Sequence, residues 1–226
     1  MVSDHDPHRV VIFGLGQLSG LAWYCLTHDS EFEVAAFTVE DAFLDRGELH
    51  GLPVASFERL EETHPPDTHS LLVPIGYRDI NGARMRLYRA GKERGYRFPS
   101  YVSSRASVWP DLRLGENSMV FEQAVVQPFV SIGDDVIVRS GAHLSHHVSI
   151  GDHCFLAAHA VVAGGTTVGE RCLIGANATV GDGLDIAPRC IIGAGALVLS
   201  DTTENGVYAG TPARRGRVPA DRMRFP

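Results

Sequence analysis

From Val102 to Val198, seventeen aliphatic residues recur every six positions without one slip. They are Val102, Val108, Leu114, Val120, Val126, Ile132, Val138, Leu144, Ile150, Leu156, Val162, Val168, Ile174, Val180, Ile186, Ile192 and Val198. With roughly a quarter of residues being Val, Leu or Ile, chance would yield this run about once in ten billion trials. The period belongs to a triangular coil. Each hexad supplies a short strand and a corner, three hexads close one turn of 18 residues, and turns stack at about 4.8 Å.

A second inward position falls four residues after each aliphatic one and is mostly small: Ala106, Ser118, Ala124, Ala142, Cys154, Ala160, Thr166, Cys172, Ala178, Cys190 and Ala196. A thin prism cannot hold two large side chains per face, so one large and one small residue is the packing solution. Glycine recurs directly after the aliphatic residue (Gly115, Gly133, Gly151, Gly169, Gly175, Gly181, Gly193), where it is expected to relax the backbone at corners. Cys154, Cys172 and Cys190 lie 18 apart and should stack as a buried internal column rather than a metal or redox site. Residues 102 to about 203 are therefore expected to form an all-β left-handed parallel β-helix of about 5.7 coils and roughly 27 Å.

Before Val102 the pattern changes. The apolar run Val10–Phe13 leads into Gly14-Leu15-Gly16-Gln17-Leu18-Ser19-Gly20 and a helix-like stretch through Leu26. Further strands are expected at Glu33–Thr38 and Leu71–Ile75, with helices over Phe57–Glu62 and Ala83–Arg94. Strand, glycine turn, helix, strand opens a βαβ unit, so a small Rossmann-like α/β domain is expected over 1–98 and the β-helix domain over 99–226. The spacing Gly14, Gly16, Gly20 departs from GxGxxG. It reads either as a phosphate cradle at a helix N-terminus or as a tight turn needing glycine for geometry alone.

The net charge of −7 argues against a nucleic-acid partner, whose phosphates demand a concentrated basic surface. The one dense basic run is Arg214, Arg215, Arg217, Arg222 and Arg224, otherwise a solvated tail. The start MVSDHDPHRV lacks the basic and apolar regions of a signal peptide, and no apolar run reaches 18 residues, so a cytoplasmic protein without membrane contact is expected.

Eleven histidines invite a metal site, but His147, His153 and His159 are six apart and must diverge from three successive faces. No metal is expected. His146 occupies an outward corner position, and 18 residues later Gly164 lies one coil away on the same face. In a trimer of prisms that face would form a cleft. There an imidazole can accept a proton near neutral pH, and the bare backbone at Ala163-Gly164-Gly165 can approach a carbonyl. The alternative is a hydrated surface histidine.

VVIFGLGQLSG, GAHLSHHVSIGDHCFLAAHAVVAGG and GVYAGTPARR resemble the bacterial sugar acyltransferases that join a nucleotide-binding domain to a left-handed β-helix. These include UDP-4-amino-sugar N-acetyltransferases and sialic-acid O-acetyltransferases. The resemblance implies that His146 is the general base and that acetyl-CoA lies between adjacent prisms of a homotrimer. It places CoA near Gly164, Gly165, Gly210, Pro212 and Arg214, with Arg214 or Arg215 meeting its phosphates. It also implies a nucleotide-sugar site at Gly14, Gly16, Gln17 and Glu40. The family usually carries an acid after the histidine, and here His147 stands in its place. The expected reaction is acetyl transfer from acetyl-CoA to the amino group of a nucleotide-linked amino sugar. The alternatives are O-acetylation of a sugar hydroxyl, a non-catalytic nucleotide-sugar-binding trimer, and a zinc lyase.

Overall fold

The computed structural model describes residues 9–223, so Arg224 falls outside it. Its contacts divide the chain into two units. One holds the residues up to Ile75 together with Arg86–Pro99, and the other holds Gly76–Met85 together with Ser100 onward.

The first unit is a five-stranded sheet with a parallel centre. Strand β1 (Arg9–Phe13) leads through helix α1 (Gln17–Asp29) to β2 (Glu33–Val39), which pairs parallel with β1. With β3 (Glu48–Leu49), β4 (Leu52–Ser56) and β5 (Ser70–Leu72), the spatial order is β3-β4-β2-β1-β5, and only β3–β4 is antiparallel. Val10, Val11 and Ile12 are fully buried, as a central parallel strand covered on both faces requires. The expected helices occur as α2 (Leu60–Thr63) and α3 (Gly82–Glu93). The β3–β4 hairpin was not anticipated: its two-residue turn, His50-Gly51, has φ of 52° and 77°, the left-handed pair that matches strand twist. Phe13 and Phe57, with ring centroids 5.1 Å apart, join Leu71, Tyr88 and Phe98 in this unit's core.

In the second unit the hexads become seventeen two-residue strands, β6 (Tyr101–Val102) to β22 (Leu197–Val198), followed by the hairpin β23 (Val207–Gly210) and β24 (Ala213–Arg215). They form three sheets that step by one coil at each pairing, so Val126 faces Leu144 and Leu144 faces Val162. All hexad pairings are parallel, as the left-handed β-helix requires. From Val120 to Val198 the aliphatic ladder is buried.

The small inward residues do more than fill space. Ser118 Oγ donates to Gly133 O at 2.9 Å and accepts from Val136 N–H at 2.9 Å, one coil away. Thr166 does the same with Gly181 O and Leu184 N–H, and Cys154 with Gly169 O and Cys172 N–H. The cysteine column is thus a set of buried spacers satisfying the corner backbone of the next coil. Neighbouring thiols and burial push the Cys172 thiol above its ordinary pKa and keep it protonated.

The reading of the recurrent glycines needs correction. None of the seven adopts a left-handed φ. Gly151 is required by close approach: a Cβ there would lie 2.8 Å from Glu170 N and 3.0 Å from Gly169 C in the coil above. The left-handed corner falls two residues later, at Asn117, Asp135, His147, His153, His159 and Asn177 among others. His147, His153 and His159 therefore occupy the three different edges of the prism.

The faces differ. One sheet turns Tyr101, Met119, Ile137, Phe155, Leu173 and Ile191 outward, and all are buried. Tyr77 meets Phe155 edge-on with centroids 5.1 Å apart. Another sheet turns out Arg113, Ser131, Ser149, Thr167 and Asp185. No described helix is long and apolar enough to cross a membrane.

Candidate active site

Between β13 (His143–Leu144) and β14 (Ser149–Ile150) the chain turns a corner that carries His146. Its backbone is held from both neighbouring coils: the His146 N–H donates to Gln127 Oε1 at 2.9 Å, and its carbonyl accepts the Gly165 N–H at 2.9 Å. The exposed His146 ring projects along the edge and lies against Gly164. A Cβ at 164 would be 2.6 Å from His146 Cε1 and 2.9 Å from Nε2, so the imidazole occupies the space glycine leaves.

The ring's other nitrogen, Nδ1, lies 3.2 Å from Nδ1 of His147. His147 sits in the left-handed region with φ 59°, and its N–H donates to Pro128 O at 3.2 Å. Its ring packs against exposed Phe129, with centroids 4.6 Å apart. The Gly164 N–H donates to Asp182 Oδ1 at 3.1 Å, an acceptor that adding another 18 to Gly164 would have found. Gln127, Phe129 and Asp182 are the neighbours that reading single positions missed.

The structure thus brings His146, Gly164 and Gly165 together. Gly210, Pro212 and Arg214 lie elsewhere in the same chain. Gly210 and Arg214 belong to the β23–β24 hairpin, which pairs with β21 (Ile191–Ile192) of a different sheet. Thr211 Oγ1 donates to Gly195 O at 3.4 Å, on the edge that also carries His159.

In the first unit, Gly14, Gly16, Gln17 and Glu40 gather at the carboxyl ends of the adjacent parallel strands β1 and β2. Gly14 has φ +97°, its N–H donates to Thr38 O at 2.7 Å, and a Cβ would meet Ser19 Oγ at 2.7 Å. The turn itself demands this glycine. Gly16 is different: its backbone is extended and a Cβ would meet nothing within 4 Å. It caps α1, which starts at Gln17, without a side-chain hydrogen bond. Beside Glu40, the Asp41 N–H donates to Glu58 Oε2 at 2.9 Å, and the Asp41 carboxylate pairs with Arg59 at 3.8 Å.

A polar cluster escaped the sequence reading. Buried Arg84 donates Nε to Asp135 Oδ1 at 3.0 Å and Nη2 to the carbonyls of Asp135, His153 and Cys154 at 2.9–3.0 Å. Asp135 also binds His153 Nδ1 at 2.8 Å and Asn117 Nδ2 at 2.6 Å. Asn81 Nδ2 reaches Cys172 O at 3.1 Å, so residues 76–85 are clamped to one edge of the prism.

Comparison with known proteins agrees with this architecture. Residues 130–164 and 165–200 match the family described as bacterial transferase hexapeptide (six repeats). A search of curated proteins found no match. Among solved structures, PerB from Caulobacter crescentus, crystallised with CoA and GDP-perosamine, is 30% identical over 92% of this chain and 96% of its own, with a TM-score of 0.81. A variant of perosamine N-acetyltransferase from the same organism, also with CoA and GDP-perosamine, is 29% identical over 92% and 96%, with a TM-score of 0.82. The acetyltransferase domain of PglB from Neisseria gonorrhoeae shares the fold at 23% identity over 92% and 99%, with a TM-score of 0.81.

Proposed function

Because the chain belongs to the bacterial hexapeptide transferases, we propose that it moves an acetyl group from acetyl-CoA to the amino group of a nucleotide-linked amino sugar. The observation that carries this reading is the His146 ring lying over the bare Cα of Gly164, one coil away. The likeness to the perosamine N-acetyltransferase structures supplies the chemistry: both hold CoA and a nucleotide-linked sugar.

The sugar nitrogen attacks the thioester carbonyl. His146 Nε2 removes the proton of the attacking amine, the C–S bond breaks, and CoA leaves as a thiolate that is then protonated. A thioester oxygen at Gly164 would replace Asp182 as acceptor of the amide N–H, putting a neutral donor where negative charge develops. No covalent enzyme intermediate is needed, and Cys154, Cys172 and Cys190 are buried inside the prism.

Residues 1–98, apart from the segment 76–85 that belongs with the second unit, are assigned as a Rossmann-like nucleotide-sugar domain. The free N-terminus of α1 behind Gly16 and Gln17 faces phosphate, and Glu40 sits at the end of the neighbouring strand. Residues 99–226 form the transferase domain, with Gly164, Gly165, Gly210, Pro212 and Arg214 contacting CoA. Since Gly210 and Pro212 lie on a different edge from His146, a second copy would bring its own hairpin to this site, which supports a homotrimer. Exposed Trp109, Phe129 and Leu199 near this edge favour such burial. A cytoplasmic location follows from the use of CoA.

The test is to supply acetyl-CoA with amino- and hydroxy-sugar nucleotides side by side and follow CoA release. The amino sugars should react, and His146→Ala should lower kcat about 100- to 10,000-fold. Near-normal turnover by that variant would remove His146 from the role, and preferential reaction of hydroxy sugars would identify an O-acetyltransferase. Sedimentation equilibrium tests the trimer.

A further inference from the structure

The pair of imidazoles at this corner has a directional consequence. Two Nδ1 atoms 3.2 Å apart can share only one proton. If His147 held it, His146 Nδ1 would be occupied as an acceptor and its own proton would sit on Nε2, leaving no lone pair to receive another. If His146 holds it, Nδ1–H donates to His147 and the Nε2 lone pair is free. Nε2 is also the nearer of the two nitrogens to the space above Gly164, 2.9 Å from a Cβ there against 3.2 Å for Nδ1.

Resting on the acetyl transfer proposed above, we infer that His147 is a positioning residue: a neutral imidazole that accepts the Nδ1–H of His146 and locks it in the tautomer able to act as base. In this protein a second imidazole does the orienting. Three observations support the assignment. The His147 N–H is fixed to Pro128 O, so the residue's backbone does not wander. Its ring packs against Phe129, which restricts rotation about the side chain. The His146 backbone is held separately by Gln127 and Gly165, so the ring-to-ring contact is left to set the imidazole plane. When Nε2 takes the amine proton, the positive charge formed on His146 is met by the His147 lone pair. The pair passes from neutral to singly positive, which suits a site whose substrates already bring phosphates. Asp182, on Gly164 N–H, and Asp111, which accepts the Phe129 N–H at 2.6 Å, are the carboxylates bonded to the backbone around this corner.

Replacement at 147 need not disturb the corner. Phe129 occupies the equivalent position one coil earlier with φ 66°, so this conformation already accommodates a phenylalanine. Aspartate also tolerates the left-handed region. The test therefore compares His147→Phe with His147→Asp. His147→Phe should lower kcat about tenfold or more while KM for both substrates stays within about twofold, and His147→Asp should recover most of that loss. Nitrogen-15 spectra of histidine-labelled protein, with both rings neutral, provide a readout independent of turnover. The His146 signal, assigned by its loss in His146→Ala, should report the Nδ1–H tautomer in the parent and revert to Nε2–H in His147→Phe. Unchanged kcat in His147→Phe, or an Nε2–H tautomer in the parent, would overturn the inference. Full activity of His146→Ala would instead bring down the general-base reading on which it rests, so the two failures are distinguishable.

Discussion

Asn117, Asp135, His153 and Arg171 climb one edge of the prism at left-handed corners, and Phe129, His147, Gly165 and Gly183 climb another. The backbone is the same on both, and each carries a histidine. On the first edge, Asp135 is wholly inaccessible and His153 is 4% exposed, with the guanidinium of Arg84 filling the space outside them. On the second, Phe129 is 65% exposed, and the described partners of His147 are the rings of Phe129 and His146 and one carbonyl. A corner histidine is thus structural or chemical according to what covers its edge, not according to the repeat. Burial with an anion fixes His153. Exposure beside a bare glycine leaves a His146 nitrogen free to work.

Substitutions that invade one edge at a time test this contrast. The largest effect is expected from Arg84→Met, which leaves Asp135 buried beside His153 without its guanidinium. Unfolding by denaturant should show a loss of about 3–5 kcal/mol. A loss under about 1 kcal/mol would mean the covered edge is not held by charge.

The next pair separates stability from turnover. In Gly151→Ala the new methyl meets the backbone of the next coil, which should cost about 1–3 kcal/mol with kcat of the folded protein unchanged. In Gly164→Ala the methyl's three nearest neighbours are all atoms of the exposed His146 ring, so kcat should fall about 100-fold while stability moves by less than about 1 kcal/mol. Equal loss of stability in the two variants would erase the distinction between the edges.

Inside the prism the cysteine column follows the covered edge, with Cys154 one residue after His153 and Cys172 one after Arg171. Cys172→Ala should cost about 1 kcal/mol by removing the thiol that donates to Ala187 O at 3.3 Å, and Cys172→Ser should be nearly neutral. The smallest effect lies in the first unit. Burial, then the charges of His69 and Arg9, hold His64 below the usual histidine range, and burial and the charge of Arg9 do the same for His69, with the two rings 4.9 Å apart. The unfolded chain then binds more protons, so stability is fully present above about pH 6.5 and declines as pH falls below it. His64→Gln with His69→Gln should flatten that acid limb in thermal unfolding.

The aliphatic ladder could be read from the sequence because its neighbours in space are 18 residues apart and obey one rule. Asp182 follows the same arithmetic from Gly164 and was within reach, whereas Gln127 is 19 residues from His146 and falls one place off it. The left-handed corners were also marked, by Asn117, Asp135, His147 and Asn177, but the more conspicuous glycines drew the explanation. Their true cause, backbone against backbone at Gly151 and its equivalents, is invisible without the stacked coil. Arg84 gave no sign at all. In a helix pattern it resembles any solvated arginine, and its partner Asp135 is separated from it by 51 residues and a change of architecture.

The inward Ser, Thr and Cys residues that tie one coil to the next lie inside the tube, apart from what its open rim displays. Mutation can redraft the vertical margin at 146, 147, 164 and 182 residue by residue, trying one proton carrier after another, while the interior text is left unedited.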